Sequence, residues 1–239
     1  NEEGKIIYKF RKVKGEDRPV YKKKRDENGK PIKTKYGRTF RTIKKELEKG
    51  GLDYHIKYNI LNTSKITELP QNRERIYIIC FKNKDDYDKF NFDFPVVDNK
   101  PIKDYLQDKI DDKDKIDDKY YYGSQFKESV WNKIKDNVTK HISNNVLYQY
   151  RRYYVRENKS NCCPTLTANM GGGGHNVPLL RDDKGIRKLT PRECFNLQGF
   201  DEKYELPPKL CDSALYKLAG NAVSIPVVQL IVEKISHII

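Results

Sequence analysis

Apolar and polar positions alternate along this chain in short blocks, each with the period of one element. Phe40, Ile43 and Leu47 recur at i, i+3 and i+7 after Thr39 and before Gly50 and Gly51. That spacing predicts a short amphipathic helix closed by glycine. YHIKYNIL (Tyr54 to Leu61) alternates like a half-buried strand, and after a polar turn through Pro70 the run RIYIICF (Arg75 to Phe81) is almost wholly apolar. Its β-branched and aromatic content predicts a strand buried on both faces of a sheet. Helix, strand, turn and strand in this order is the rhythm of an α/β layer. Two helices with clear punctuation end the chain. Thr190, Pro191 and Glu193 supply the N-cap, first-turn proline and third-position glutamate of a capping box, with Gly199 at the exit. The last helix starts at Ser224, Ile225 and Pro226 and carries Val227, Val228, Leu230, Ile231 and Ile235 on a broad apolar face. Such a face needs a packing partner.

Between these blocks charge dominates. Residues 1–35 are rich in Lys and Arg without a sustained period, which reads as a loop or extended basic arm, either a surface insertion or a nucleic-acid contact. DKIDDKDKIDDKYYYG (Asp108 to Gly123) interleaves Asp and Lys and reads as a solvated turn or helix face inside a less regular module that begins near Lys82. Composition sharpens this picture. The 239 residues are 36% hydrophobic and 34% charged, yet 17 Tyr and 9 Phe supply enough bulk for a core. A net charge of +14 favours a polyanionic partner, nucleic acid before anionic membrane. No continuous apolar run approaches the ~18 residues of a bilayer span. Five cysteines without framework spacing, and no signal-peptide pattern, fit a reducing cytoplasm.

Candidate chemistry is concentrated in three places. Arg73 and Arg75 stand two apart at the opening of the Arg75 to Phe81 strand, so their guanidinium groups should project from one side of the sheet edge. There they would suit a phosphate or a base edge, or form ordinary surface pairs with Glu68 or Glu74. The tetraglycine Gly171 to Gly174 marks close backbone approach, positive φ or a flexible linker. It lacks the Lys-Ser/Thr of a phosphate loop. Beside it, Thr165 and Thr167 can donate hydroxyls to DNA phosphates, with Arg151, Arg152 and Arg156 as counter-charge. Cys162 and Cys163 lie in a polar, basic loop that could stabilise a thiolate, with no base evident beside them. His175 has no partner at ligand spacing, and no metal is expected.

In order and spacing, PQNRERIYIICF (Pro70 to Phe81), RKLTPRECFNLQGF (Arg187 to Phe200) and YKLAGNAVSIPVV (Tyr216 to Val228) resemble the C-terminal half of a bacterial DNA (cytosine-5)-methyltransferase of the restriction-modification kind. YQYRRYYVRENKSNCCPTLTANMGGGGHNVPLL (Tyr148 to Leu180) is similar to the end of that family's target-recognition region. The resemblance implies an α/β fold: the C-terminal part of a doubly wound, Rossmann-like domain plus a small irregular target-recognition domain. The catalytic part would comprise residues 36–90 and 215–239, and the recognition part residues 91–214 with its conserved block at 187–200. It further implies S-adenosylmethionine as methyl donor and double-stranded DNA as partner. Gln71 and Arg73 would shape the cytosine pocket, Arg75 would contact the flipped base, and Thr165 would touch a flanking phosphate. Asn221 and Ala222 would meet the cofactor's amino-acid end.

The sequence departs from the family pattern in instructive ways. Ala222 stands where serine is frequent, Leu218 replaces glutamine and Asp201 replaces proline. The family's proline-cysteine-glutamine and glutamate-asparagine-valine motifs do not occur, and Cys163 precedes its proline. With Asn1 first and Met170 the single methionine, the expectation is a fragment, or one subunit of a cytoplasmic prokaryotic enzyme split from a separate N-terminal subunit. Such a chain should be inactive alone. The competing expectation is a non-catalytic basic DNA-binding module or relic.

Overall fold

The computed structural model describes residues 8–13, 16–21, 37–107, 116–123, 127–151, 154–158, 161–172 and 176–239. These fall into two compact units that divide between Tyr54 and His55.

The first unit corrects the reading of residues 1–35 as an aperiodic arm. β1 (Tyr8–Val13) and β2 (Glu16–Tyr21) pair antiparallel, from Tyr8 opposite Tyr21 to Val13 opposite Glu16. YKFRKV alternates weakly, and a two-residue connection ending in glycine suits a tight hairpin; the high charge hid this pattern. The glycine-closed helix forms as expected. α1 (Arg38–Lys49) ends with the Gly50 N–H donating to the Glu46 carbonyl at 3.0 Å, and Gly51 follows at φ +83°.

In the second unit, β3 (His55–Asn62) and β5 (Glu74–Phe81) pair antiparallel over their full length. Their inner face sends Leu61, Tyr77 and Ile79 into a core with Ile66 of the short helix α2 (Thr63–Ile66) and with Val227 and Ile231 of α7 (Ile225–Ser236). On the opposite face, Ile60 (65% exposed) lies across from Ile76 (45% exposed). The strand expected to be buried on both faces is therefore open on this face at Ile76, while Ile78 and Cys80 on the same face are half-buried and Ile56, across from Cys80, is buried. A continuous apolar run reports β structure, but it does not report how many layers cover it.

α3 (Lys84–Lys89) follows, and Phe90 is fully buried behind it. Next comes an irregular stretch tied down by side chains: the Asn99 amide donates to the carbonyls of Ser64 and Thr67, both at 3.0 Å. The Asp-Lys run is only partly a solvated face. Residues 108–115 lie outside the described residues, but Ile116, Tyr120 and Tyr121 are buried in the largest core. Aromatic and aliphatic residues at the end of the run outweigh its charge. Helix α4 (Glu128–Lys135) packs Ile134 and Trp131 against a second core. That core backs a four-stranded antiparallel sheet, ordered β10-β9-β6-β7, made of β6 (Tyr148–Tyr150), β7 (Val155–Glu157), β9 (Leu179–Arg181) and β10 (Ile186–Lys188).

Two further strands, β4 (Gln71–Asn72) and β8 (Cys163–Pro164), pair parallel and join regions about ninety residues apart in sequence. α5 (Pro191–Asn196) carries the complete capping box, and Gly199 takes φ +88° just beyond it. α6 (Asp212–Asn221) is a third terminal helix, absent from the periodicity reading. The stretch Asp212–Ser236 is long and apolar enough by composition to cross a membrane. It is broken at Ala222–Ser224 into α6 of 10 residues and α7 of 12, each short of the ~20 a spanning helix needs.

Candidate nucleic-acid interface

Four blocks far apart in sequence meet at one buried polar junction. Gln71, fully buried at the start of β4, donates from Nε2 to the Leu197 carbonyl (2.6 Å) and to Gln198 Oε1 (3.3 Å) beyond α5. Its Oε1 accepts from the Leu166 N–H at 3.4 Å. Gln198 in turn donates to the Ala219 carbonyl in α6 at 2.7 Å. Arg73, 4% exposed, donates to the carbonyls of Leu166 (2.8 Å), Gly220 (3.3 Å) and Ala222 (2.6 Å). Buried polar groups cost free energy unless paired, so these residue types are required where irregular backbone is packed inside. Burial, and then the neighbouring Arg75 charge, lower the Arg73 pKa to about 10. Small residues complete the junction. A Cβ on Gly220 would collide with the Thr167 backbone, and one on Gly171 with the Ser213 carbonyl.

The two arginines do not project together. Residue 73 lies in the break between β4 and β5, so its side chain turns inward, while Arg75 is exposed and donates to the Glu74 carbonyl at 2.7 Å. Neither forms the expected pair with Glu68, which binds Lys100 instead.

Beside the junction opens a cleft of about 330 Å³ lined by Asn72, Gln149, Arg151, Arg156, Thr165 and Thr167, with three further asparagines and Pro164. No carboxylate is in that lining. Thr165 Oγ1 donates to the Asn72 carbonyl at 2.6 Å, while the exposed Thr167 hydroxyl has no partner among the described residues. Thr165, Thr167, Arg151 and Arg156 are thus brought to one site. Arg152, Gly173, Gly174 and His175 lie outside the described residues.

α5 is fixed from the other side. Arg187 of β10, almost fully buried, makes a bidentate pair with Glu193 (2.8 Å each) and donates through Nε to Asp182 at 2.9 Å. Burial opposes its charge, and these bonds overcome that cost and hold the guanidinium ionised.

Residues 27–237 match the family model described as C-5 cytosine-specific DNA methylase. The chain belongs to this family. It is 51% identical over 199 residues to the type II methyltransferase M.Bsp6I of Bacillus sp. (strain RFL6), a match covering 83% of this chain and 60% of that protein. It is 32% identical over 239 residues to M1.ScrFI of Lactococcus lactis subsp. cremoris, covering 99% and 56%. It therefore spans somewhat over half the length of these bacterial relatives. Among solved structures it is similar to Entamoeba histolytica methyltransferase EhMeth (TM-score 0.54, 18% identity, covering 83% of this chain and 58% of that one). It is also similar to S. pombe Dnmt2 (TM-score 0.54, 20% identity, 83% and 63%). These likenesses show a shared mixed α/β fold.

Within this methylase-family chain the cysteine alternative is overturned. Cys163 is fully buried, its Sγ donates to the Pro164 carbonyl, and burial raises its thiol pKa well above the ordinary value. Burial likewise raises Cys162. A thiolate at Cys163 would be desolvated with no cation to hold it, and at Cys162 burial outweighs the opposing pull of Ser64 and Lys65. Asn221 ends α6 with its amide exposed and without a partner among the described residues, and Ala222 is pinned by Arg73 through its carbonyl. Sequence reasoning missed Gln198, Gly220 and Gln149. The first two stand inside the quoted LQG and AGN blocks; Gln149 is signalled by the alternation of YQYR across β6.

Proposed function

We propose that this chain is the DNA-gripping and pocket-closing portion of a DNA (cytosine-5)-methyltransferase of a prokaryotic restriction-modification system. The observation that carries the reading is the convergence of Gln71, Arg73, Leu166, Gln198 and Gly220 at one junction beside a basic, carboxylate-free cleft. Residues 36–90 and 215–239 serve the catalytic domain of a doubly wound sheet, and residues 91–214 recognise the target. Cytosine stacked in duplex DNA must be rotated out before its C5 carbon is reachable, which costs a few kcal/mol. The junction holds the pocket wall rigid through Gln71 and Arg73. Arg75, exposed at the head of β5, offers donors to the extruded base. Thr165 and Thr167 meet flanking phosphates, with Arg151, Arg152 and Arg156 adding charge. The Thr165 proton must turn from Asn72 to do so.

S-adenosylmethionine supplies the sulfonium methyl when bound. The unpartnered amide of Asn221 fits the cofactor's amino-acid end, and pinning of Ala222 by Arg73 fixes where that amide stands. Ala222 provides backbone there and no hydroxyl. The family's proline-cysteine-glutamine nucleophile is not in this sequence, and Cys163 cannot replace it, so further polypeptide has to furnish the thiolate. Val223, just before α7, and Val232 within it, 57% and 55% exposed, give such polypeptide apolar surface to cover. A basic DNA-binding relic is the second reading, favoured by the same lack of a reactive cysteine.

Gel shift of duplex DNA and transfer of labelled methyl groups to cytosine, each measured with and without an added N-terminal methyltransferase half, test both. We expect binding by the chain alone and methylation only with the added half. Binding without rescue supports the relic, and failure to bind duplex DNA removes both readings.

A further inference from the structure

The outward face of the β6–β7 hairpin carries donors in a fixed array. Along these strands Tyr148, Tyr150 and Val155 turn into the second core, so Gln149, Arg151 and Arg156 turn out on the other side of the pleat. Gln149 lies directly across from Arg156. Both Arg151 and Arg156 donate from Nη2 to Gln149 Oε1, each at 2.9 Å. Two cations on the oxygen settle which way the amide points. Its Nε2 is left with two N–H donors that have no partner among the described residues. Both guanidiniums keep further N–H groups, and a guanidinium cannot accept. Glu157, the nearest acid in the hairpin, lies on the inward side with Tyr148 and pairs with Lys140 at 2.8 Å. The array opens into the cleft described above.

An edge meeting these three groups must therefore present acceptors. In the major groove guanine offers two adjacent acceptors, N7 and O6, whereas adenine sets a donor beside its N7 and cytosine presents an amino donor. Phosphate oxygens are acceptors too, but a phosphate contact needs only charge within reach, while here an amide is locked in one orientation between two forks. We infer that Gln149, Arg151 and Arg156 together read a guanine base edge and so decide part of the DNA sequence chosen. This rests on the proposed DNA recognition and goes beyond assigning the arginines as phosphate counter-charge.

Selection by the full chain from a pool of 20-base-pair duplexes with randomised sequence tests it, using the unaltered protein, Arg156→Ala and Gln149→Glu. The glutamate variant keeps the volume and both arginine bonds but exchanges the amide donors for an anionic acceptor, which repels a guanine N7/O6 edge, so it tests the inference even if Arg156→Ala folds poorly. The unaltered chain is expected to enrich at least one guanine position that both variants leave degenerate. Replacing that guanine by 7-deazaguanine, which lacks the N7 acceptor, should weaken the unaltered chain roughly 5- to 150-fold and the variants little. An unchanged consensus in both variants, with uniform weakening and a shallower salt dependence, overturns the inference in favour of phosphate contacts. Guanine discrimination without methylation in the added-half experiment keeps this inference and removes the enzyme reading; no duplex binding at all removes both.

Discussion

Arg73 ties distant parts of the chain together through backbone carbonyls. Its guanidinium spans three of them, Leu166 in the Thr165 turn, Gly220 in the last turn of α6 and Ala222 just beyond it. Replacing it by methionine leaves those carbonyls buried and unpaired, a loss expected to cost roughly 2–5 kcal/mol. Arg75 sits two residues on, exposed, with one bond to its neighbour's carbonyl. Arg75→Met should change stability by no more than about 0.5 kcal/mol. Urea unfolding of the two variants checks the contrast, and equal losses would show that burial is not what separates them. From spacing alone the two arginines look alike; the break in pairing between β4 and β5 makes them different, and that break depends on β8 arriving from residue 163.

At the scale of elements, the turn between β9 and β10 is held by charge as well as by backbone. Burial pushes the Asp182 carboxyl up, but hydrogen bonds from Arg187, Tyr121 and the Gly185 N–H more than offset it and hold it below the usual carboxylate range. A carboxylate with a folded pKa below its unfolded value, about 3.9, stabilises the fold above that value. The contribution is lost as pH falls through the lower, folded value. Asp182→Asn should therefore be most destabilising near neutral pH, and its deficit should shrink below about pH 3.9. Thermal melts of both proteins from pH 7 to pH 2.5 test this; a constant deficit would mean that the carboxylate's charge is irrelevant. Local signals made part of this architecture readable. The capping box at Thr190 and Glu193, the alternation of β3 and the glycine exit of α1 are short-range patterns, and each formed where expected. α6 is not signalled in the sequence because no capping side chain marks its start at Cys211, and it is held by contact with the Ala168–Gly171 turn, a long-range fact. The exposure of Ile60 and Ile76 at one end of β3 and β5 is not readable for a similar reason, since composition cannot say which layers cover which part of a strand.

For the molecule as a whole, charge and recognition are separable, and the site was legible only as far as its chemistry was local. Thr165, Thr167, Arg151 and Arg156 stand out by residue type near one glycine run, and the fold gathers them in one cleft. Gln149 does not, because an amide gains meaning only from the two guanidiniums that orient it. The net charge of +14 is spread differently: residues 1–36 hold thirteen Lys and Arg against six Asp and Glu, so 13 − 6 = +7, half of the total. Cations that meet only phosphates raise affinity for any duplex by releasing counterions and do not distinguish base pairs. Replacing Lys22, Lys23, Lys24 and Arg25 by glutamine should therefore weaken binding to all duplexes alike. If all four meet phosphates, the slope of log affinity against log salt should become shallower by about 3 to 4. The selected sequence should not change. Arg156→Ala should do the reverse, degrading the consensus while altering the salt slope by about 1 at most. Fluorescence titrations of a selected and a scrambled duplex between 50 and 200 mM salt separate the two. A loss of sequence preference on neutralising residues 22–25 would place part of the reading surface in the N-terminal segment and not in the hairpin.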